Sequence, residues 1–222
     1  MENLIHNFFN FQVYADVFPH LLKGLWTTAW LSAIVIPLGA LAGLGLAVTV
    51  TQAQSRAVRW AVIAYIDFFR AFPPLVLLIL VYFGWPFLGI ELDKLTAVVI
   101  AFVLNNASYY AEVFRAGLEG VAKGQMEAAR STGLVRWQAL LYVVIPQAVR
   151  NVLPDLVGNS IEVVKLTTIA SVVALPELLR AARDAQALVY NPSPVVLAAI
   201  MYLVLLLPLT RWLGRLEHRR IR

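Results

Sequence analysis

The chain has 222 residues, 60% of them hydrophobic and only 14% charged, with a mean hydropathy of +0.74. Soluble domains carry roughly 45–50% apolar and about 25% charged residues, so this composition belongs in a bilayer. The absence of cysteine excludes disulfides, thiol nucleophiles and Cys-ligated metals. The three histidines, His6, His20 and His218, lie near the ends, which argues against a buried His-based metal or acid–base site. The formal charge of +5 reads as membrane topology, and no nucleic-acid partner is expected. The whole of 1–222 is expected to be a single membrane domain, too short to add a soluble enzyme domain beside several spans.

Residues 1–22 contain no Lys or Arg and lack the basic n-region of a cleavable signal peptide. They are expected to remain as an extracytoplasmic or interfacial segment ahead of the first span. From Gly24 to Ser55 there is no charge, more than the roughly 20 residues needed to cross the hydrocarbon. Pro37, Gly39, Gly43 and Gly45 inside this run predict a close helix–helix contact face rather than a break. A second uncharged run, Ala71 to Ile90, reads as the continuation of a helix begun near Trp60, and a third, Leu95 to Ala111, ends in polar residues. Between Ala139 and Pro176 the apolar pattern is interrupted by Pro146, Arg150, Pro154, Asp155, Glu162 and Lys165. That pattern predicts an interfacial helix followed by a span at roughly Leu156 to Ala174. The last uncharged run is Ala185 to Thr210, with its spanning part beginning after the turn NPSP at Asn191 to Pro194. The fold class expected is all-α integral membrane, with about five transmembrane helices.

Charge placement orients these spans. Arg56 and Arg59 follow the first, and Arg115, Lys123, Arg130, Arg136 and Arg150 follow the third. Arg211, Arg215, Arg219, Arg220 and Arg222 follow the fifth. Basic loops collect on the cytoplasmic side, so the N-terminus is expected outside and the C-terminus in the cytoplasm. Residues 115–150 then form the largest cytoplasmic loop, with the interfacial helix at its end.

That loop holds EAARSTGLVRWQALLYVVIPQA, residues 127–148. Glu127-Ala128-Ala129, three further residues, Gly133, nine more, then Val143 to Pro146 resembles the EAA motif of the membrane subunits of binding-protein-dependent ABC importers. Val143 and Ile145 stand where the family usually has Ile and Leu. The surrounding NNASYYAEVFRAGLEGVAKGQMEAARSTGL, the upstream AYIDFFRAFPPLVLLILVYFG and the downstream ALPELLRAA look like the polar amino acid permease branch of that family. The resemblance runs from about Leu21 to Arg220. It implies a type I importer-like fold with a cytoplasmic coupling-helix loop, a multi-pass chain in a bacterial-type inner membrane, and three partners: a separate ATP-binding cassette ATPase, a second permease subunit (identical or paralogous) and a soluble substrate-binding protein. The family mechanism is alternating access, in which closure of the ATPases moves the coupling loops and opens the path outward.

By residue chemistry alone, Gln125 to Thr132 favours a short helix, and Ala128 and Ala129 are small enough for a partner to approach closely. Gly133 suits the left-handed position that ends one helix before another starts over Leu134 to Tyr142. The resemblance makes Glu127, Ala128, Ala129, Arg130, Gly133 and Arg136 the residues that engage the ATPase. No G-x-x-x-x-G-K-[ST] phosphate loop occurs in the chain. It is therefore expected to bind no cofactor or metal and to have no catalytic residues, with ATP and Mg used by the partner ATPase.

Polar groups inside a span are expensive in lipid and tend to face a cavity or another helix. Two clusters stand out as substrate-path candidates: Asn105, Asn106, Ser108 and Tyr109 in span three, and Asn159, Glu162, Thr167 and Thr168 in span four. Glu162 and Lys165, at i,i+3, could equally pair with each other, and Asp67 and Arg70 repeat that spacing as a structural pair. Family members usually have Lys-Asp-Thr-Ser where this chain has Lys165-Leu166-Thr167-Thr168, which removes a carboxylate and disfavours cationic cargo. The expectation is a transport subunit for a polar amino acid or related small zwitterion. A self-contained channel or secondary transporter is the alternative, and it would leave the coupling loop unexplained.

Overall fold

A computed structural model describes residues 7–221, with side chains through Arg215. His6 and Arg222, and the side chains of His218, Arg219 and Arg220, lie outside the described residues. Every regular element among the described residues is helical. Four helices are long and apolar enough to cross a membrane, and a broken pair supplies a fifth span when counted as one. The contacts divide the chain into two compact units. One takes in the residues up to Val35, Leu75–Ala101 and the chain from Ile161, and the other Ile36–Pro74 and Phe102–Ser160.

Helix α1 covers Phe11–Gln52. Its start is set by Asn10, whose Oδ1 accepts from the backbone N–H of Gln12 and Val13 at 3.1 and 3.2 Å, satisfying two donors that a helix start leaves open. Residues 11–22, expected as a separate segment, are thus the first turns of the first helix. Val17 and Leu21 of those turns belong to the core of the first unit with Leu178, Ala182, Ala185, Leu197, Ala198 and Met201. At about 1.5 Å per residue the helix is roughly 60 Å long, about twice the hydrocarbon thickness, so part of it projects beyond the bilayer. It runs unbroken through Pro37.

Helix α2, Arg56–Ala71, does not continue as one helix into the following apolar run. Phe72 is extended, with φ −83° and ψ 127°, because the residue before a proline is pushed out of the α region, and Pro73 and Pro74 follow. Helix α3 restarts at Pro74–Ile79 and widens into a π-helical turn at Leu80–Gly84 before a 3-10 turn at Trp85–Leu88. The expectation of an unbroken helix from near Trp60 is corrected here, and the prolines are the cause.

Helix α4, Lys94–Glu119, outlasts its uncharged run by eight residues because Glu112, Arg115 and Glu119 fall at i,i+3 and i,i+4 and neutralise one another along one face. Short helices follow: α5 at Lys123–Ser131, α6 at Arg136–Ala139 and α7 at Ile145–Asn151. Between α6 and α7 lies a π-helical turn, Leu140–Val144. Pro146 has no N–H and its ring crowds the preceding turn, and widening the helix just before it relieves that conflict. Gln147 Nε2 donates to the Val143 carbonyl at 2.8 Å. Helix α8, Leu153–Leu166, tightens into a 3-10 segment at Thr167–Val173, and together they make the fourth span, Leu153–Val173. Helix α9, Leu178–Val189, and the last helix α10, Ser193–Ile221, complete the chain.

In the second unit the glycine face works unevenly. A Cβ at Gly43 would lie 2.5 Å from Tyr110 Cβ and 2.8 Å from the Ala111 nitrogen, and one at Gly39 would sit 3.4 Å from Asn106 Cβ. A Cβ at Gly45 would meet nothing within 4 Å, so this third glycine is not part of the contact. Helix packing in lipid gains little from hydrophobicity, since lipid tails are as apolar as leucine, and close backbone approach of this kind supplies contact instead.

Candidate functional site

The central loop is built from α5, a turn at Thr132 and Gly133, and α6. The Thr132 N–H donates to the Ala128 carbonyl at 3.3 Å and the Gly133 N–H to the Arg130 carbonyl at 3.1 Å, closing the end of α5. Gly133 has φ +94°, a conformation that an L side chain rarely adopts. A Cβ there would touch nothing within 4 Å, so the requirement for glycine comes from the backbone alone. On the far side of the turn, Gln138 Oε1 accepts from the Val135 N–H at 3.1 Å and starts α6. Glu127, Ala128 and Arg130 are exposed. Ala129, expected to lie on the approachable face beside Ala128, is instead 7% exposed and packed into its own unit. Arg136 Nη2 donates to Gln52 Oε1 at 3.0 Å, which braces α6 against the end of α1. Lys123, Arg130 and Arg136 line a hollow of about 340 Å³ with Gln52, Met126 and Val144.

Of the polar residues of span three, Asn105, Asn106 and Ser108 are buried and Tyr109 is exposed, and all four are hydrogen-bonded. Asn105 Nδ2 donates to the Phe69 carbonyl at 2.8 Å, and Asn106 Nδ2 to the Phe102 carbonyl at 2.9 Å. Ser108 Oγ donates to the Asn105 carbonyl at 2.6 Å, and the Tyr109 hydroxyl to the Arg70 carbonyl at 3.3 Å. Asn105 and Tyr109 therefore tie α4 to the end of α2, where the helix stops and leaves carbonyls without helical donors. Asn159, also in the second unit, is different: its Nδ2 is buried and makes no hydrogen bond of good geometry among the described residues. In the first unit Glu162 and Lys165 form an ion pair on an exposed face, and Thr167 and Thr168 donate to the carbonyls of Val164 and Lys165 at 2.7 and 2.8 Å.

Two features escaped the reading of the sequence. The first is a charged cleft of about 540 Å³ in the second unit, lined among others by Arg59, Asp67, Arg70, Glu112, Arg115 and Glu119. Arg70 pairs with Glu112 at 3.7 Å, and Arg115 reaches Glu112 at 2.7 Å and Glu119 at 3.0 Å. The expected pairing of Asp67 with Arg70 is corrected by this arrangement. Arg70 crosses to α4, where Glu112 lies, and its guanidinium stands 5.8 Å from the centre of the Tyr109 ring. The signal was present in the i,i+3 and i,i+4 spacing of Glu112, Arg115 and Glu119, but the partner of Arg70 lies 42 residues away.

The second is Glu177, fully buried ahead of α9. Its carboxylate oxygens accept from the backbone N–H of Leu179 and Arg180, both at 2.7 Å, and from the Tyr202 hydroxyl at 3.1 Å. Burial holds its carboxyl above the ordinary value of 4.5, against the opposing pull of these hydrogen bonds. Glu177 looks like a loop charge in sequence; only packing makes it a core group.

Comparison with known proteins places this geometry. Residues 35–222 match the family described as "Binding-protein-dependent transport system inner membrane component". The chain is 37% identical over 175 residues to a probable amino-acid ABC transporter permease protein, YckA, of Bacillus subtilis, covering 79% of this chain and 77% of that one. It is 37% identical over 218 residues to a probable glutamine ABC transporter permease protein, GlnM, of the same organism, covering 96% and 95%. A solved structure described as "an amino acid ABC transporter with histidines" superposes with a TM-score of 0.83 at 34% identity, covering 95% of this chain and 98% of that one. The chain belongs to the binding-protein-dependent transport system inner membrane component family and is a permease subunit of an ABC importer.

Proposed function

We propose that this permease carries a polar amino acid or a related small zwitterion, and that its α5–Gly133–α6 loop is the surface on which a separate ATPase acts. The cargo reading is supported by the relatives named above, an amino-acid permease that matches 79% of this chain and a glutamine permease that matches 96% of it. The charged cleft agrees with it, since a zwitterion needs groups of both signs and the cleft lining includes Arg59, Asp67 and Arg70. The loop reading rests on Gly133: a backbone at φ +94° joins two short helices into an exposed knob bearing Glu127, Ala128 and Arg130.

The chain has no phosphate loop, so ATP and Mg are used by the ATPase and this subunit performs no hydrolysis itself. A soluble binding protein delivers the cargo, and a second permease, identical or paralogous, completes the path. The basic loops put the C-terminus in the cytoplasm and the N-terminus outside. The experiment is reconstitution of the chain with its ATPase in liposomes, followed by uptake of radiolabelled polar amino acids. Uptake should require both ATP inside and the binding protein outside. Uptake without either would refute the importer mechanism, and failure to take up any amino acid would refute the cargo.

A further inference from the structure

We infer that the C-terminal end of α10 holds an anionic phospholipid, with its headgroup between Arg211 and Arg215 and an acyl chain along Val204, Leu207 and Pro208. These residues and Trp212 line a hollow of about 420 Å³. Their spacing, 204, 207, 208, 211, 212 and 215, is the i, i+3, i+4, i+7 repeat of a single helical face. One end of that face is apolar and the other basic, the order that a lipid presents from tail to headgroup. Val204 and Arg211 are about 10 Å apart along the axis at 1.5 Å per residue, so tail and headgroup positions are separated by part of one leaflet.

Three observations favour a lipid on this face. Val204, Leu207 and Trp212 are exposed, at 69%, 46% and 48%, on a helix long and apolar enough to span a bilayer. Trp212 lies next to the basic pair near the end of the spanning helix Ser193–Arg215, and indole rings collect at the membrane–water boundary. Arg70, Arg115 and Arg180 each have a carboxylate partner, whereas Arg211 and Arg215 have no ion pair among the described residues. Residues 211–222 contain five arginines and a single acid, Glu217. A cluster of basic residues just beyond a span attracts anionic lipid. The inference does not depend on which side of the membrane the C-terminus occupies, nor on the identity of the cargo.

The test is native mass spectrometry of the full chain in detergent, titrated with phosphatidylglycerol and with phosphatidylcholine of the same acyl chains. Phosphatidylglycerol should bind more tightly. Arg211→Gln with Arg215→Gln should weaken it by about 30-fold, at ~1 kcal/mol for each basic residue near the headgroups, and leave phosphatidylcholine unchanged. Arg211→Lys with Arg215→Lys should keep the preference. On the unmodified chain, raising the ionic strength should remove it, which tests the idea even if the neutral variant fails to insert. Equal affinity for the two lipids, or a preference indifferent to both the substitutions and salt, would overturn the site. Glycerol 3-phosphate binding as tightly as phosphatidylglycerol would make it a plain anion site and also overturn the inference. So would efficient disulfide cross-linking between two copies carrying Val204→Cys, because a second permease would then cover the face.

Discussion

Gly43→Ala and Gly45→Ala are the same substitution, two residues apart in one helix, and should move stability in opposite directions. At Gly43 the new Cβ falls 2.5 Å from Tyr110 Cβ, 2.8 Å from the Ala111 nitrogen and 2.9 Å from the Ala107 oxygen. Carbon atoms in contact settle at about 3.5–4.0 Å, so α1 and α4 must part by roughly 1 Å. Two of the three obstacles are backbone, so no rotamer change relieves them, and Tyr110 is itself anchored through its hydroxyl to Ser160 Oγ at 2.9 Å. Overpacking of this kind costs about 1–3 kcal/mol, and the backbone contacts place it near the upper end. Alanine regains up to ~1 kcal/mol over glycine in a helix, leaving a net loss of about 2 kcal/mol. At Gly45 there is no obstacle within 4 Å, and the helical gain of up to ~1 kcal/mol stands alone. At roughly 2–4 °C per kcal/mol for a chain of this size, Gly43→Ala should lower the Tm by about 4–8 °C and Gly45→Ala should raise it by about 2–4 °C. Intrinsic fluorescence during thermal unfolding in detergent measures both. Equal shifts of one sign, or an unaffected Gly43→Ala, would refute the close contact.

Gly133→Val meets no steric obstacle, so its expected penalty, on the order of 1–2 kcal/mol, comes from the left-handed backbone; transport coupled to the ATPase should fall while membrane insertion is unchanged, as uptake and copurification would show. Glu162→Gln or Lys165→Met alone leaves one charge unpartnered. If the pair is only structural, the double variant should recover both assembly and uptake, and recovery of assembly without uptake would assign Glu162 to the transport path. Glu177 is raised above 4.5 in the folded chain, so its protonated form is favoured by folding. Its contribution is fully present below the unfolded value and is lost as pH rises through the folded one, and Glu177→Gln should flatten that fall in thermal stability. Because the chain has no cysteine, Leu88→Cys and Gly124→Cys offer single labelling sites, with the first expected to react with an impermeant reagent from outside and the second to be protected.

Much of the architecture was legible in the sequence, for a physical reason. Lipid forces every spanning backbone to satisfy its hydrogen bonds internally, so the long uncharged runs read as helices, and about five spans were expected from those runs and the placement of charge, against four long helices and one broken pair in the fold. Gly133 was legible too, because local backbone chemistry set its φ of +94°. The break after Ala71 was equally local, written in Phe72-Pro73-Pro74, yet apolar composition masked it. Partners are a different matter. Arg70 paired with Glu112 across 42 residues rather than with Asp67 three away, Ala129 turned inward while Ala128 stayed exposed, and Gly45 faced open space while Gly43 met Tyr110. Glu177 became a buried carboxyl because α9 and Tyr202 closed around it. Spacing along a helix says which residues share a face, but only the packing of one helix on another decides what that face meets.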